Sequence, residues 1–192
     1  MQYYYNQYPN AINDLQITQI CNDDNSMNGG FKFSSSGCVM TACAKVASEK
    51  LGRDVSLKEI NKLFDKNSDG YLEFHEIKQG FIKLLGDKYN IEADYHTEGR
   101  ELNKNRFANA AQQGDTYVLA RTCADFDGDG KKEYHWVVLE GYTTDDKGRM
   151  IFSYDGTSDN DAKNNRVYVY GDPKSNNEFK IDKIETFRIT SK

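Results

Sequence analysis

Apolar residues recur at helical spacing just after residue 37. Val39, Ala42, Cys43, Val46 and Ala47 form one stripe, and Gly52 follows as a stop. The pattern predicts a helix opening at Cys38, with the hydroxyl of Ser34, Ser35 or Ser36 as its cap. A second helix is expected over about Ser56 to Phe64, where Ser56 and Glu59 have capping-box spacing. Further helices are expected over about Phe74 to Leu85 and about Arg100 to Gln113, the latter ending at Gly114. The period then changes from helical to alternating. Tyr117 to Arg121, His135 to Tyr142, Arg149 to Tyr154, Arg166 to Tyr170 and Ile184 to Ile189 read as strands. Asp146-Lys147-Gly148 reads as the hairpin turn between the second and third. Before the first helix, Leu15 to Ile20 fits a short strand. Residues 1–14 read as irregular and 22–37 as turn-rich. Helices first and antiparallel strands second make an α+β pattern, and no internal repeat is visible.

Composition narrows the class. The chain has 192 residues, one domain by size, and 10 Phe and 13 Tyr supply a core despite a mean hydropathy of −0.82. A net charge of −5 without a basic cluster argues against a nucleic-acid partner. No apolar run approaches the roughly 18 residues of a membrane span. Met1 to Asn6 lacks the basic and apolar regions of a signal peptide, so synthesis and a reduced state in the cytoplasm are expected. The four cysteines, Cys21, Cys38, Cys43 and Cys123, contain no CxxC pair. A monomer is expected.

Chemistry concentrates at two positions. Cys38 follows Gly37 at a helix start, where the helix dipole favours a thiolate. His135 opens a strand and is one of only three histidines. A neutral imidazole can take the thiol proton, and the cation so formed holds the thiolate. Cys21, Cys43 and Cys123 fit small buried hydrophobes, and His75 and His96 fit surface positions.

Two acidic loops point to calcium. Residues 65–76 follow the EF-hand loop pattern. Asp65, Asn67 and Asp69 stand at positions 1, 3 and 5, and Gly70 makes the turn. Tyr71 offers its carbonyl, Glu73 sits at position 9, and Glu76 is the bidentate ligand at 12. Helices are expected on both sides, so 56–86 reads as an EF-hand-type insertion. In the second loop, Asp125, Asp127, Asp129, Lys131 and Glu133 form a shorter DxDxDG ligand set flanked by strands. That loop ends just before His135, so a bound ion would fix the start of the strand.

Several of these segments together resemble the papain-like superfamily, and within it the C39-like peptidases. They are Ile17-Thr18-Gln19, Ser36-Gly37-Cys38-Val39-Met40-Thr41, His135-Trp136-Val137-Val138-Leu139-Glu140-Gly141-Tyr142 and Tyr154-Asp155-Gly156. The resemblance runs from about Gln16 to about Asp155. It implies a papain-like fold with N-terminal helices packed on a C-terminal antiparallel sheet. It also implies a triad of Cys38, His135 and Asp155, with Gln19 in the oxyanion hole. If adjacent strands carry His135 and Asp155, antiparallel pairing would bring them together. The implied activity is a calcium-stabilised cysteine hydrolase. A phage or prophage endolysin cutting the peptide part of peptidoglycan, released to the cell wall after synthesis, is the leading expectation. A protein-cleaving peptidase or toxin effector is the alternative. A catalytically silent calcium-binding module that engages a wall or protein partner is the alternative of another class.

Overall fold

The computed structural model describes residues 4–5, 27–28, 31–32, 37–64, 72–97, 99–124, 131, 133–144, 146–148, 150–155, 168–169 and 180–192. In chain order the elements are β1 (Tyr4–Tyr5), β2 (Met27–Asn28), β3 (Phe31–Lys32), α1 (Cys38–Leu51), α2 (Leu57–Phe64), α3 (Phe74–Leu85), β4 (Tyr89–His96), α4 (Arg100–Ala111), β5 (Thr116–Ala124), β6 (Glu133–Thr144), β7 (Met150–Asp155), β8 (Tyr168–Val169) and β9 (Lys180–Ser191). The class is α+β, as the pattern predicts. The main sheet runs β4-β9-β5-β6-β7-β8 and is antiparallel throughout. β1 joins β6 at Tyr4↔Tyr142 and Tyr5↔Gly141, past the last β5 pair at Val118↔Leu139.

Two parts of this sheet depart from the sequence reading. β4 was not anticipated, although Tyr89, Ile91, Ala93 and Tyr95 alternate with Asn90, Glu92, Asp94 and His96. That alternation is the strand signal itself. Within the expected irregular stretch 1–14, Tyr4 and Tyr5 lie in a strand, and β2 pairs with β3 inside the expected turn region. The expected strand over Leu15 to Ile20 lies outside the described residues.

Each face of the sheet has its own core. Tyr117, Leu119, Val138, Phe187 and Ile189 pack with α1, α2 and α3. Val118, Ala120, Val137, Leu139, Ile181 and Ile184 pack with Phe107 and Ala110 of α4. On the first face Phe81 meets Phe64 edge-on at 5.2 Å and Phe187 at 5.0 Å. Gly80 allows that approach of α2 to α3, because a Cβ there would lie 2.2 Å from the Phe64 ring.

α1 is the central helix. Instead of one apolar stripe, every residue from Val39 to Ser48 is buried, Thr41, Lys45 and Ser48 included. Its N-cap is Gly37, which has no side-chain cap hydrogen bond, and Ser34, Ser35 and Ser36 lie outside the described residues. Thr41 turns its hydroxyl back onto the Gly37 carbonyl at 2.9 Å. Gly52 ends the helix in the left-handed conformation at φ 62°, as expected. The far end is tied to the sheet. Lys50 pairs with Asp115 at 3.0 Å and sits over the rings of Tyr89 and Tyr117, while the Tyr89 hydroxyl donates to the Lys50 carbonyl. Anchoring this end sets where the other end, and Cys38 with it, can lie.

At α2, Ser56 Oγ accepts the Glu59 N–H at 3.2 Å, which is half of the expected capping box. The Glu59 carboxylate is held by Arg53 at 3.0 and 2.7 Å.

Candidate active site

Cys38 is the first residue of α1 and His135 the third of β6, and the fold brings them into contact. The two side chains are hydrogen-bonded. Burial would push the Cys38 thiol up. The hydrogen bond and positive charge of His135 act against that, and the backbone N–H groups of Trp136 and Val39 act in the same direction. The net result is a thiol held below its ordinary value. Val39 contributes as a helix-terminal N–H without a partner in the helix, which is the local form of the dipole effect. Trp136 contributes from the backbone of β6. The sulfur therefore rests against the strand itself, where two donors converge on it.

Among the described residues, the pair of β6 and β7 nearest to His135 is Val138↔Asp155. Beyond it, toward residue 133, the β6 backbone at Trp136 meets Cys38. On its other side β6 continues in register with β5 through Arg121↔Trp136, Thr122↔His135 and Cys123↔Tyr134. The Thr122 hydroxyl donates to the His135 carbonyl at 2.9 Å. Sequence reasoning missed Thr122, Trp136 N–H and Val39 N–H as parts of this site. The two N–H groups carry no residue-type signal, and Thr122 becomes visible only once the register is known.

Asp155 is the last residue of β7, in the strand next to His135, as expected. Its register partner is Val138, three positions along β6 from His135. Gln19 lies outside the described residues.

Asp65, Asn67, Asp69 and Tyr71 lie outside the described residues. α2 and α3 flank their loop, which is the helix–loop–helix frame an EF-hand loop requires. Glu76 is only 2% exposed. It stands at N3 of α3, and its Oε2 accepts the N–H of Glu73, the N-cap, at 3.1 Å. Its carboxylate is thus turned back toward the loop end of the helix, which fits a ligand at position 12. This second capping box was not anticipated. Asp125, Asp127 and Asp129 also lie outside the described residues. β5 ends at Ala124 and β6 begins at Glu133, on either side of them. Lys131 is exposed, and Glu133 opens β6 opposite Ala124. Among the described residues no group of three or more His, Cys, Asp or Glu is arranged to hold a metal.

The remaining cysteines and histidines separate clearly. Cys43 is fully buried, as expected, and burial and then Glu185 push its thiol well up. Cys123 is half-buried rather than buried, because it lies near the end of β5. Cys21 lies outside the described residues. His75 is exposed and contacts Glu73 at 3.3 Å. His96 is half-buried at the end of β4 and lines a cleft of about 200 Å³ between α4 and the β4–β9 edge. Asp94, Arg106, Gln113 and Arg188 also line that cleft, and neither Cys38 nor His135 does.

No family model matches this chain, and neither does any curated protein. Among the described residues no helix is long and apolar enough to cross a membrane.

Proposed function

We propose that this chain is a cysteine hydrolase of papain-like, C39-like type, cutting peptide or amide bonds. The observation that carries the reading is the hydrogen-bonded pair of Cys38 and His135, with the thiol lowered at the start of a buried helix. Desolvation and helix position are common to many cysteines; a converging imidazole is the ingredient that makes a nucleophile. The Cys38 thiolate attacks the scissile carbonyl, and the His135 imidazolium protonates the departing amine. A water molecule, deprotonated by His135, then attacks the thioester and releases Cys38 and a carboxylic acid. Asp155 is assigned to orient His135, and Gln19 and the Cys38 N–H to stabilise the oxyanion.

The substrate in this reading is the peptide part of peptidoglycan. The enzyme is made in the cytoplasm and acts at the wall as a monomer. Calcium held by Asp65, Asn67, Asp69, Tyr71 and Glu76 supplies a fixed link between α2 and α3. A second ion at Asp125, Asp127, Asp129, Lys131 and Glu133 fixes the start of β6.

Incubating purified peptidoglycan with the protein and mass-mapping the products tests the substrate. New amine termini that disappear in Cys38→Ala support the reading. Cleavage of protein substrates alone moves it to the protein-peptidase alternative. No cleavage of either, with calcium bound, leaves a silent binding module. Exhaustive chelation is expected to lower the melting temperature by several degrees. A ligand at a hundredfold excess over Kd contributes about 2.7 kcal/mol, and ~1 kcal/mol shifts a chain of this size by about 2–4 °C. Glu76→Gln is expected to reproduce part of that loss, and an unchanged melting curve on chelation removes calcium from the reading.

A further inference from the structure

His135 lies near one end of β6, where a strand frays most easily, yet its imidazole must stay within hydrogen-bond reach of Cys38. The neighbouring strand shows how it is held. β5 lies between β6 and β9. Its register with β9 shifts between Arg121 and Thr122: Arg121 faces Lys183, and Thr122 faces Ile181. β9 thus takes two steps where β5 takes one, and Asp182 is the extra residue. That is a β-bulge, which bends a ladder and re-aims side chains locally.

The extra residue is not idle. Arg121 Nε donates to Asp182 Oδ1 at 3.0 Å and Oδ2 at 3.1 Å, and its Nη2 also donates to Oδ2. This is a two-nitrogen fork on one carboxylate, the geometry that fixes a guanidinium in place. The guanidinium lies 4.7 Å from the ring centroid of Tyr134. Tyr134 is a diagonal cross-strand neighbour of Arg121 and directly precedes His135. It is 65% exposed, so solvent alone would not hold it. The next residue of β5 is Thr122, which is fully buried and donates its hydroxyl to the His135 carbonyl at 2.9 Å.

We infer that β5 is a clamp for the base: Thr122 and the Asp182–Arg121–Tyr134 stack are positioning residues that hold His135 against Cys38. The inference rests on the proposed Cys38–His135 pair. Thr122 fixes the backbone of His135 itself. The stack fixes the residue before it, and the bulge at Asp182 places the carboxylate where Arg121 can reach both it and Tyr134. The groups that act directly on the Cys38 thiol are His135, Trp136 and Val39. Thr122 and the stack act through the orientation of the imidazole.

The test reads the thiol rather than turnover, so it needs no substrate. The rate of iodoacetamide labelling at Cys38 is measured against pH by peptide mass spectrometry on the full chain, for wild type, His135→Gln, Thr122→Val, Thr122→Ser and Asp182→Asn. Wild type is expected to titrate below an ordinary thiol, and His135→Gln to move that midpoint up. Thr122→Val is nearly isosteric and removes only the hydroxyl, so it is expected to shift the midpoint in the same direction but less. At neutral pH its labelling should slow by about threefold to tenfold, since one pKa unit is tenfold in thiolate at pH well below the midpoint. Thr122→Ser, which keeps the hydroxyl, should restore the wild-type profile, and Asp182→Asn should show a smaller shift than Thr122→Val. A purely structural role for Thr122 would lower the melting temperature without moving the profile. If His135→Gln shifts the profile and both Thr122→Val and Asp182→Asn coincide with wild type, the clamp is wrong and the pair stands. If His135→Gln itself changes nothing, the pair is wrong and the clamp goes with it. Should Thr122→Val fail to fold, Asp182→Asn decides: a shifted midpoint upholds the clamp, and a wild-type midpoint overturns it.

Discussion

Cys38 and Cys43 share one helix and lie five residues apart, the first half-buried and the second fully buried, and their thiols are driven in opposite directions. Desolvation raises both. At Cys38 it is outweighed by an imidazole and two N–H groups. At Cys43 the charge of a carboxylate, Glu185, adds to it. Glu185 is itself 3% exposed, its Oε2 has no hydrogen-bond partner among the described residues, and burial raises its carboxyl to about 8. The helix start faces a strand backbone and an imidazole that act on its thiol as donors. At the helix middle the thiol is acted on by burial and a carboxylate. Burial raises both thiols, and what each one meets on the sheet sets the direction of its net shift.

The sharpest break of that contrast is loss of the sulfur. In the proposed reaction Cys38→Ala is expected to lower hydrolysis by ~10³-fold or more, while Cys43→Ala leaves the rate near wild type. Comparable losses in both variants would mean that the helix matters and the nucleophile does not. Next in size is the chemical selectivity of the native protein. At neutral pH an unperturbed thiol is a few per cent thiolate. Cys38 is therefore expected to take up iodoacetamide on the order of 100-fold faster than Cys43. His135→Gln should erase most of that ratio, and equal labelling of the two in wild type would sink the assignment.

The middle of the helix gives a pH effect. A carboxyl that titrates near 8 when folded and near 4.5 when unfolded keeps its proton in the native state while the unfolded chain releases it. The protonated native form is fully favoured below the unfolded value. That stability is lost as pH rises from about 4.5 to about 8, with no further change from this group above. Melting temperatures taken from pH 5 to 8 are expected to fall several degrees more steeply in wild type than in Glu185→Gln. Parallel curves would mean that Glu185 is ionised in the fold. The smallest effect belongs to the far end of α1. The Tyr117 hydroxyl donates to Glu49 Oε1 at 3.0 Å. Tyr117→Phe should cost about 1 kcal/mol and leave the labelling ratio of the two thiols untouched; a changed ratio would show that the anchor steers Cys38.

The order and kind of the helices were legible, because their periodicity, Gly52 and the change to alternation are local signals. So was the pairing of Cys38 with His135, since each sits at an element start and few histidines compete. β4 carried the same alternating signal as the strands that were read, and its acidic and histidine positions hid it. The burial of Lys45 and Ser48 was not legible: nothing local says that a polar residue on α1 will be covered from both sides. Thr122 and Asp182 were not legible either. Their roles depend on a register between strands about 60 residues apart, and on one extra residue in β9 that only pairing reveals. For Asp155 the strand was readable and the register was not. Backbone pairing sets it three positions from His135, a distinction only hydrogen-bond geometry can draw.

The position of β9 bears on how the molecule comes together in time. It is the last strand in the chain, yet it lies inside the sheet, between β4 and β5. Among the described residues, until 180–191 are made β4 has no strand partner and β5 has only one. Phe187 and Ile189 are then missing from one core, and Ile181 and Ile184 from the other. Such long-range closure slows folding, because the loop entropy is lost before the contacts are gained. During synthesis the helices can form early and wait beside an unfinished sheet. Cys38 and His135 thus meet on a sheet that is incomplete until β9 has been added.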